Sequence, residues 1–280
     1  MAKRDISKAY DIYSVNLDAD KCQRFARAVV DQNEVYFSGE LWVPPMLLAT
    51  ESLQGILQIL QDPDVLSEAG DIGRMLHAEE RVVWHSVARQ GDVVDIEPML
   101  TSIEDKGSGN LLELDANVVT QSGEPLAKVT TSLFFRHPKP SKIDRGGAKV
   151  VVDMSAAENV EEWVVPADQT QTYAEASGDY NPIHLDENFA KMVGLDGRIL
   201  HGMCTLSFAQ RSLLKHFGNN QPGNLHELYA QFSRPVYLGD ALTCKGLKVS
   251  EEKALTHRFE VVNQHGKAVI KNGTLRMKSN

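Results

Sequence analysis

Residues 173–203 read YAEASGDYNPIHLDENFAKMVGLDGRILHGM, and their pattern decides the fold. Gly178 follows a helical opening, and glycine permits backbone conformations that are closed to other residues. Pro182 fixes its own φ angle and biases Asn181 away from the helix. Past the end of this stretch, leucine and phenylalanine recur with roughly helical spacing as far as Phe217. The pattern predicts a helix, a rigid irregular segment and then a second, longer helix.

The first half of the chain contains a degenerate copy of this stretch. DQNEVYF, starting at Asp31, aligns with DYNPIHL, starting at Asp179, and Tyr36 then falls opposite His184. Further matches follow in the same order at nearly the same offset: Leu76–His77 with Leu225–His226, Gly91–Asp92 with Gly239–Asp240, and VVTQSG at 118–123 with VVNQHG at 261–266. The common order and spacing indicate an internal duplication.

Each copy predicts the same succession of elements. The predicted helices are Asp20–Asp31 and Met46–Leu60 in the first copy, and Asp168–Ser177 and Met203–Phe217 in the second. The predicted strands are Asp92–Ser102, Leu111–Gln121 and Ala127–Arg136, then Asp240–Ser250, Ala254–Asn263 and Ala268–Met277. This is an α+β pattern, in which an antiparallel sheet wraps around one long helix in each half.

A segment rich in proline and glycine separates the copies. It reads HPKPSKIDRGGAK and covers His137–Lys149. We therefore predict an N-terminal domain at 1–137, a linker at 138–152 and a C-terminal domain at 153–280, with the boundary near residue 150.

Composition excludes several classes of function. The formal net charge of -9 argues against nonspecific binding to nucleic acid or to an anionic membrane. The three cysteines are far apart, so neither a disulfide framework nor a zinc spacing is visible. No secretory signal, membrane span or peroxisomal SKL ending is recognised. We expect a cytoplasmic protein without a bound metal.

The segment SGDYNPIH, Ser177–His184, resembles the signature of the MaoC-like, (R)-specific enoyl-CoA hydratase family, also called hydratase 2. Ala190 and the segment GRILHG at 197–202 also match that family, and the first half resembles the degenerate domain of its two-domain members. The resemblance implies a double hotdog fold, that is, two tandem hotdog domains. It also implies reversible addition of water to trans-2-enoyl-CoA, which gives (R)-3-hydroxyacyl-CoA.

The residues themselves agree with that chemistry. Hydration takes a proton from water and delivers one to the α-carbon, and a carboxylate beside an imidazole can do both. Asp179 and His184 are the predicted catalytic pair, and we treat them as one coupled unit. Asn181 is predicted to orient the loop or the water. The resemblance assigns the thioester oxyanion to the backbone N–H of Gly202, which precedes the long helix. No metal or redox cofactor is implied, because coenzyme A enters as part of the substrate.

The first copy departs from the signature in ways that predict inactivity. Tyr36 replaces the histidine, Glu34 replaces the proline, and Pro44–Pro45 stand where His201–Gly202 stand. Proline has no N–H to donate to an oxyanion. We hypothesise that this shortened copy leaves room for a longer or bulkier acyl chain.

Other candidate residues have structural interpretations. We predict that His201 makes a structural hydrogen bond, and that Cys204 is a small buried helix residue. His77 and the remaining histidines are predicted to be surface or packing residues, since they form no metal-ligand pattern. Four basic residues could meet the phosphates of coenzyme A, but solvated surface charge is the favoured interpretation: Arg211, Lys215, Arg234 and Lys245.

Three alternative functions stay open on the sequence. One is dehydration of (R)-3-hydroxyacyl thioesters of acyl carrier protein, against which the acidic charge argues weakly. The others are thioester hydrolysis and noncatalytic binding of acyl thioesters. Acyl length and branching, the physiological direction, the pathway and the oligomeric state, including a possible homodimer, are not determined by the sequence.

Overall fold

The computed structural model describes residues 3–138, 153–249 and 255–278. These residues form eleven strands and eight α-helices. The strands are β1 (Arg4–Ala9), β2 (Tyr13–Asn16), β3 (Met75–Trp84), β4 (Val93–Asp105), β5 (Gly109–Thr120), β6 (Pro125–Arg136), β7 (Glu158–Val164), β8 (Leu225–Phe232), β9 (Ala241–Val249), β10 (Leu255–Asn263) and β11 (Ala268–Met277). The helices are α1 (Ala19–Ala28), α2 (Pro45–Thr50), α3 (Leu53–Leu60), α4 (Pro63–Ala69), α5 (Gln169–Ser177), α6 (Pro182–Leu185), α7 (Glu187–Met192) and α8 (Gly202–Phe217).

All eleven strands belong to one antiparallel sheet in which the two copies appear in mirror order. The strand order is β1-β4-β5-β6-β3-β8-β11-β10-β9-β7, with β2 also paired to β4. Strands β3 and β8 are equivalent strands of the two copies, and they pair with each other in the middle of the sheet, where Glu80 lies opposite Ala230 and Val82 opposite Leu228. The duplication therefore produces one continuous sheet with a pseudo-twofold relation between its halves.

The turn that is repeated before β4 and before β9 shows the duplication in atomic detail. Gly91 and Gly239 have positive φ angles of 98° and 87°, which glycine adopts without a steric penalty. Each donates its N–H over 2.9 Å, Gly91 to the carbonyl of Leu17 and Gly239 to that of Val165. The N–H groups of Leu17 and Val165 in turn donate to the residue after each glycine, again at 2.9 Å. The repeated glycine thus fixes how each copy begins its sheet.

The long helix of the second copy, α8, lies where it was predicted and is largely buried. It contacts β7, β8 and β9, so the sheet curves around it. The six predicted strands correspond to β4, β5, β6, β9, β10 and β11, with ends within three residues. The α+β prediction is confirmed, whereas the predicted linker lies almost entirely outside the described residues.

The prediction of one continuous helix over Met46–Leu60 is wrong. The segment divides into α2 and α3, separated by two turn residues. Thr50 Oγ1 donates to the Met46 carbonyl over 2.9 Å, and Ser52 Oγ donates to the Ala49 carbonyl over 2.6 Å. Such side-chain bonds compete with the helical ladder and bend or end helices. The break turns α3 toward β4, where a side-chain carbon at Gly55 would lie only 2.6 Å from Pro98.

The apolar core is shared by the two copies. One cluster joins Met46 of α2, Val82 of β3, Tyr173 of α5 and Leu206 of α8. A smaller cluster lies under α3 and α4 against β4, β5 and β6. The helices of both copies therefore meet inside the curved sheet, next to the SGDYNPIH segment. Among the described residues, no helix combines the length and apolarity needed to cross a membrane.

Candidate active site

The loop between α5 and α6 has a path fixed by its own side chains. Helix α5 ends at Gly178, whose φ of 76° is left-handed. The carboxylate of Asp179 accepts the N–H of Asn181 over 3.1 Å, and the Asn181 side chain accepts the N–H of Ile183 over 3.2 Å. Asn181 is therefore the N-cap of α6, with Pro182 in its first turn. Its side chain holds the loop, which is one of the two roles predicted for it.

His184 is held in one tautomer by a backbone carbonyl. The side chain is buried, and Nδ1 lies 2.8 Å from the carbonyl oxygen of Ile199. A carbonyl only accepts, so Nδ1 carries the proton and Nε2 keeps its lone pair. Burial lowers the pKa of His184, an effect that the Asp179 carboxylate partly offsets. The imidazole is thus neutral near neutral pH, with the lone pair on Nε2.

His201 supports both members of the predicted pair. Its ring stacks on His184 with centroids 3.8 Å apart, and its Nε2–H donates to the backbone carbonyl of Asp179 over 3.0 Å. The ring of Tyr173 packs on it at 4.9 Å. Burial and the neighbouring His184 lower the pKa of His201 to about 4, so it stays neutral. This agrees with the structural hydrogen bond predicted for it.

Asp179, His184 and His201 place their carboxylate oxygen and ring nitrogens within 4.8 Å of one another. Two imidazoles that share one metal ion must each direct an in-plane lone pair at it. These rings are tilted by only 27° at 3.8 Å, so their planes do not meet near a common ion. The geometry fits an imidazole and carboxylate that exchange a proton better than it fits a shared metal.

Gly202 is the first residue of α8, and no hydrogen bond among the described residues engages its N–H. The first N–H groups of a helix lack intrahelical partners, and the helix dipole attracts negative charge there. A side-chain carbon at Gly202 would lie 3.1 Å from the ring of Phe232, so a larger residue would crowd this contact. The site therefore combines a free donor with a closely packed aromatic wall.

Pro45 occupies the position of Gly202 in the first copy. The residues two positions earlier make equivalent bonds, Val43 N–H to Ala88 O and Leu200 N–H to Val236 O, at 3.0 and 2.7 Å. The first copy consequently has no N–H to donate at this point.

Tyr36, opposite His184, is fully buried, and burial raises its pKa well above the ordinary tyrosine value. Such a phenol is a poor proton acceptor near neutral pH. The neighbouring loop keeps its fold, because the Asp31 carboxylate accepts the Asn33 N–H over 3.1 Å as Asp179 does for Asn181. The first copy therefore retains the loop but not the histidine.

A narrow cleft of about 70 Å³, partly open to solvent, runs from Asp179 to the first copy, and His184 and Gly202 are not among its lining residues. The second copy contributes Tyr173, Ser177, Asp179 and Met203 to its wall. The first copy contributes residues of α2, α3, β3 and β6: Ala49, Thr50, Ser52, Leu53, Ile56, His77, Glu80 and Thr131. His77 packs its ring against Phe232, with centroids 4.6 Å apart, as the prediction of a surface or packing residue allows, and it also lines this cleft.

Two of the candidate phosphate-binding arginines have partners within the chain. Arg211 donates to the carbonyl of Val30 over 2.9 Å and pairs with Glu161 at 3.1 Å. Arg234 donates to the carbonyl of Ala268 over 2.7 Å. Both guanidinium groups therefore hold loops in place.

The buried His201 makes stability depend on pH. Its folded-state pKa of about 4 lies below the ordinary value of 6.5, so protonation favours the unfolded chain. The contribution of His201 to the free energy of unfolding is fully present above a pH of about 6.5, and it is lost as the pH falls toward about 4. His201→Asn keeps a donor toward Asp179 but removes the titrating imidazole. Over that pH window the free energy of unfolding should therefore fall by less in this variant than in wild type, and the difference should be at most about 3 kcal/mol. Urea unfolding across the window measures this difference, and parallel curves for the two proteins would contradict it.

The chain contains twice an antiparallel sheet that curves around helices, and the second copy adds a buried imidazole and a carboxylate near a free helix N–H. This arrangement defines a double-hotdog protein. The comparisons with known proteins agree. Residues 148–269 match the family model described as MaoC like domain, and residues 5–129 match the FAS1-like, dehydratase domain region. The chain belongs to the MaoC-like, hydratase 2 family, and it is an enzyme.

Among its relatives is the protein named "Probable enoyl-CoA hydratase 2" of Dictyostelium discoideum, which is 30% identical over 220 residues, covering 75% of this chain and 74% of the relative. A solved structure named MaoC-like dehydratase, from Phytophthora capsici, superposes with a TM-score of 0.82 at 21% identity, covering 98% of this chain and 97% of that one. A Mycobacterium tuberculosis protein described as having a double hotdog fold gives a TM-score of 0.64 at 12% identity, over 97% and 96% of the two chains. The double hotdog fold is thereby confirmed.

Proposed function

We propose that this enzyme adds water reversibly to trans-2-enoyl-CoA and forms (R)-3-hydroxyacyl-CoA. The supporting observation is the His184 tautomer, because the 2.8 Å bond from Nδ1 to Ile199 leaves Nε2 free near the Asp179 carboxylate. The relatives named for enoyl-CoA hydratase and 3-hydroxyacyl-thioester dehydratase activity support the same reaction. The (R) configuration follows the family resemblance.

The reaction needs one water and one proton transfer pathway. Water held between Asp179 and His184 gives a proton to the pair while its oxygen forms a bond to C3 of the substrate. The electrons of the double bond move toward the thioester, whose oxygen gains negative charge and accepts the Gly202 N–H. The pair then returns the proton to C2, so that H and OH are both added and the enzyme is regenerated. Dehydration is the same path in reverse.

The cleft gives the acyl chain a path toward the first copy. It extends from Asp179 to Ile56 of α3 and Thr131 of β6, both of which belong to the inactive copy. An acyl chain in this cleft would occupy space next to the divided helix α2–α3. We therefore propose that the first copy contributes the acyl-binding wall, and that no metal or redox cofactor takes part.

The decisive experiment offers the wild-type enzyme crotonyl-CoA, a longer trans-2-enoyl-CoA and the matching thioester of acyl carrier protein. We expect the enoyl absorbance of a CoA substrate to fall and the product to be the (R)-3-hydroxyacyl thioester. Turnover of the carrier-protein thioester alone would favour the dehydratase alternative. Release of free thiol would indicate hydrolysis, and binding without turnover would contradict the proposal.

A further inference from the structure

The cleft wall contains a buried carboxylate that the proposed hydration does not use. Glu80 is only 1% exposed, yet it lines the same cleft as Asp179. It lies on β3 at an inward-facing position, since Glu80, Val82 and Trp84 alternate with more exposed neighbours. A charged side chain is rarely buried without partners, because burial of an unpaired charge costs several kcal/mol. This residue therefore calls for a chemical explanation.

Two donors orient the Glu80 carboxylate through the same oxygen. Thr131 Oγ1 donates to Oε2 over 2.9 Å, and His77 Nε2 lies 2.9 Å from that oxygen. His77 Nε2 is also 3.2 Å from the carbonyl of Glu79, so both of its neighbours accept and Nε2 carries the proton. Burial raises the pKa of Glu80, while the bonds from His77 and Thr131 oppose that rise. Among the described residues, no hydrogen bond engages Oε1.

The remaining polar groups of this wall already have partners. Thr50 donates its hydroxyl to the Met46 carbonyl, and Ser52 donates its hydroxyl to the Ala49 carbonyl. Neither hydroxyl is therefore placed to satisfy Glu80. A plain hydrocarbon chain lying against Oε1 would remove water from that oxygen and give no donor in return, which is unfavourable. A hydroxyl group on the chain would supply the missing donor.

We propose that Glu80 is a specificity residue that binds a hydroxyl group on the acyl chain, so that the preferred substrates are hydroxylated trans-2-enoyl thioesters. The inference rests on the proposed function, because it requires the acyl chain to lie in the cleft. The hydrogen bonds from His77 and Thr131 stabilise the ionised form of Glu80 against the effect of burial. In that form Oε1 accepts and cannot donate, so it binds a hydroxyl and rejects a methyl ether at the same position. Hydroxyl and ether analogues therefore distinguish an acceptor from a general preference for polar chains.

The test measures kcat/KM for trans-2-enoyl-CoA substrates of one length with a hydroxyl or methoxy group at successive carbons, beside the unsubstituted chain. At one position, we expect wild type to prefer hydroxyl to methoxy about tenfold or more. Glu80→Gln keeps an oxygen for Thr131 and His77 but presents an NH₂ donor, so the ratio should fall to near one. Glu80→Met should prefer the unsubstituted chain.

Glu79→Gln is the matched control. Glu79 is the neighbouring residue on β3, and its carboxylate accepts from Tyr229 and Gln231 rather than lining the cleft. This variant should keep the wild-type ratio. Crotonyl-CoA, which carries no substituent, reports the proposed function separately. If crotonyl-CoA is hydrated but no hydroxyl position is preferred, or if Glu80→Gln keeps the preference, the inference is overturned and the hydratase stands. If no thioester is hydrated, both fail.

Discussion

Asp179→Asn and His184→Ala should each lower kcat on trans-2-enoyl-CoA by about 10³–10⁴-fold. Each removes one member of the pair that holds the transferred proton. Asparagine keeps a side-chain oxygen for the Asn181 N–H, so the loop before α6 should keep its path in Asp179→Asn. Stopped-flow absorbance of the enoyl group gives kcat, and circular dichroism verifies the fold.

The matched control for this pair is Asp31→Asn. Asp31 makes the same turn in the first copy and accepts the Asn33 N–H, but it has Tyr36 rather than histidine as its partner. This variant should keep wild-type activity within about threefold, as expected when no group of the chemistry is removed. The double variant Asp179→Asn/His184→Ala should lose little more than either single one, because coupled groups act as a unit. Near wild-type activity in either single variant would place the chemistry elsewhere.

Gly202→Pro should lower kcat about 10²–10³-fold, the usual effect of removing one oxyanion donor. The preceding residue, His201, has φ -56° and ψ 132°, and the residue before Pro45 has φ -56° and ψ 126°. That extended conformation is the one a following proline requires, and proline is favoured in the first turn of a helix. The substitution therefore deletes the N–H and leaves the backbone path intact.

Gly202→Ala distinguishes the loss of the backbone N–H from steric contact with Phe232. A side-chain carbon at position 202 would lie 3.1 Å from the Phe232 ring, so alanine and proline both crowd this ring. Alanine, unlike proline, keeps the backbone N–H. We expect Gly202→Ala to retain at least about tenfold more activity than Gly202→Pro. Equal losses in the two variants would assign the effect to Phe232 and remove Gly202 from the mechanism.

Local sequence signals predicted the elements whose cause is local. Helix α8 follows from its apolar spacing, and the six strands at the ends of the two copies follow from their alternating patterns. The division between α2 and α3 was missed, because it depends on Thr50 and Ser52 bonding back to carbonyls within an apolar stretch. Strand β3 was missed as well. Its sequence MLHAEERVVW carries charged residues on both faces, since Glu80 points inward, and the alternation of apolar and polar residues is lost.

The same distinction separates the predicted from the unpredicted parts of the site. Asp179, Asn181 and His184 lie within six residues of each other, so one short motif brings them together. Tyr173 and Glu80 reach the cleft only after the sheet has closed, through strand pairings and helix contacts between distant segments. One signal was available, because Glu80 falls in the same alternate positions as the apolar residues Val82 and Trp84. This signal is informative only once the segment is known to be a strand, and β3 was not predicted.

The pairing of β3 with β8 has an evolutionary consequence. In a dimer of identical hotdog subunits, every substitution occurs twice, once in each symmetry-related site, and a change that damages catalysis damages both. Joining the two subunits in one gene and one sheet ends that constraint. Histidine could become Tyr36 and glycine could become Pro45 in one copy, while the other retained His184 and Gly202. The copy that contains Tyr36 and Pro45 can therefore vary independently of the copy that contains His184 and Gly202.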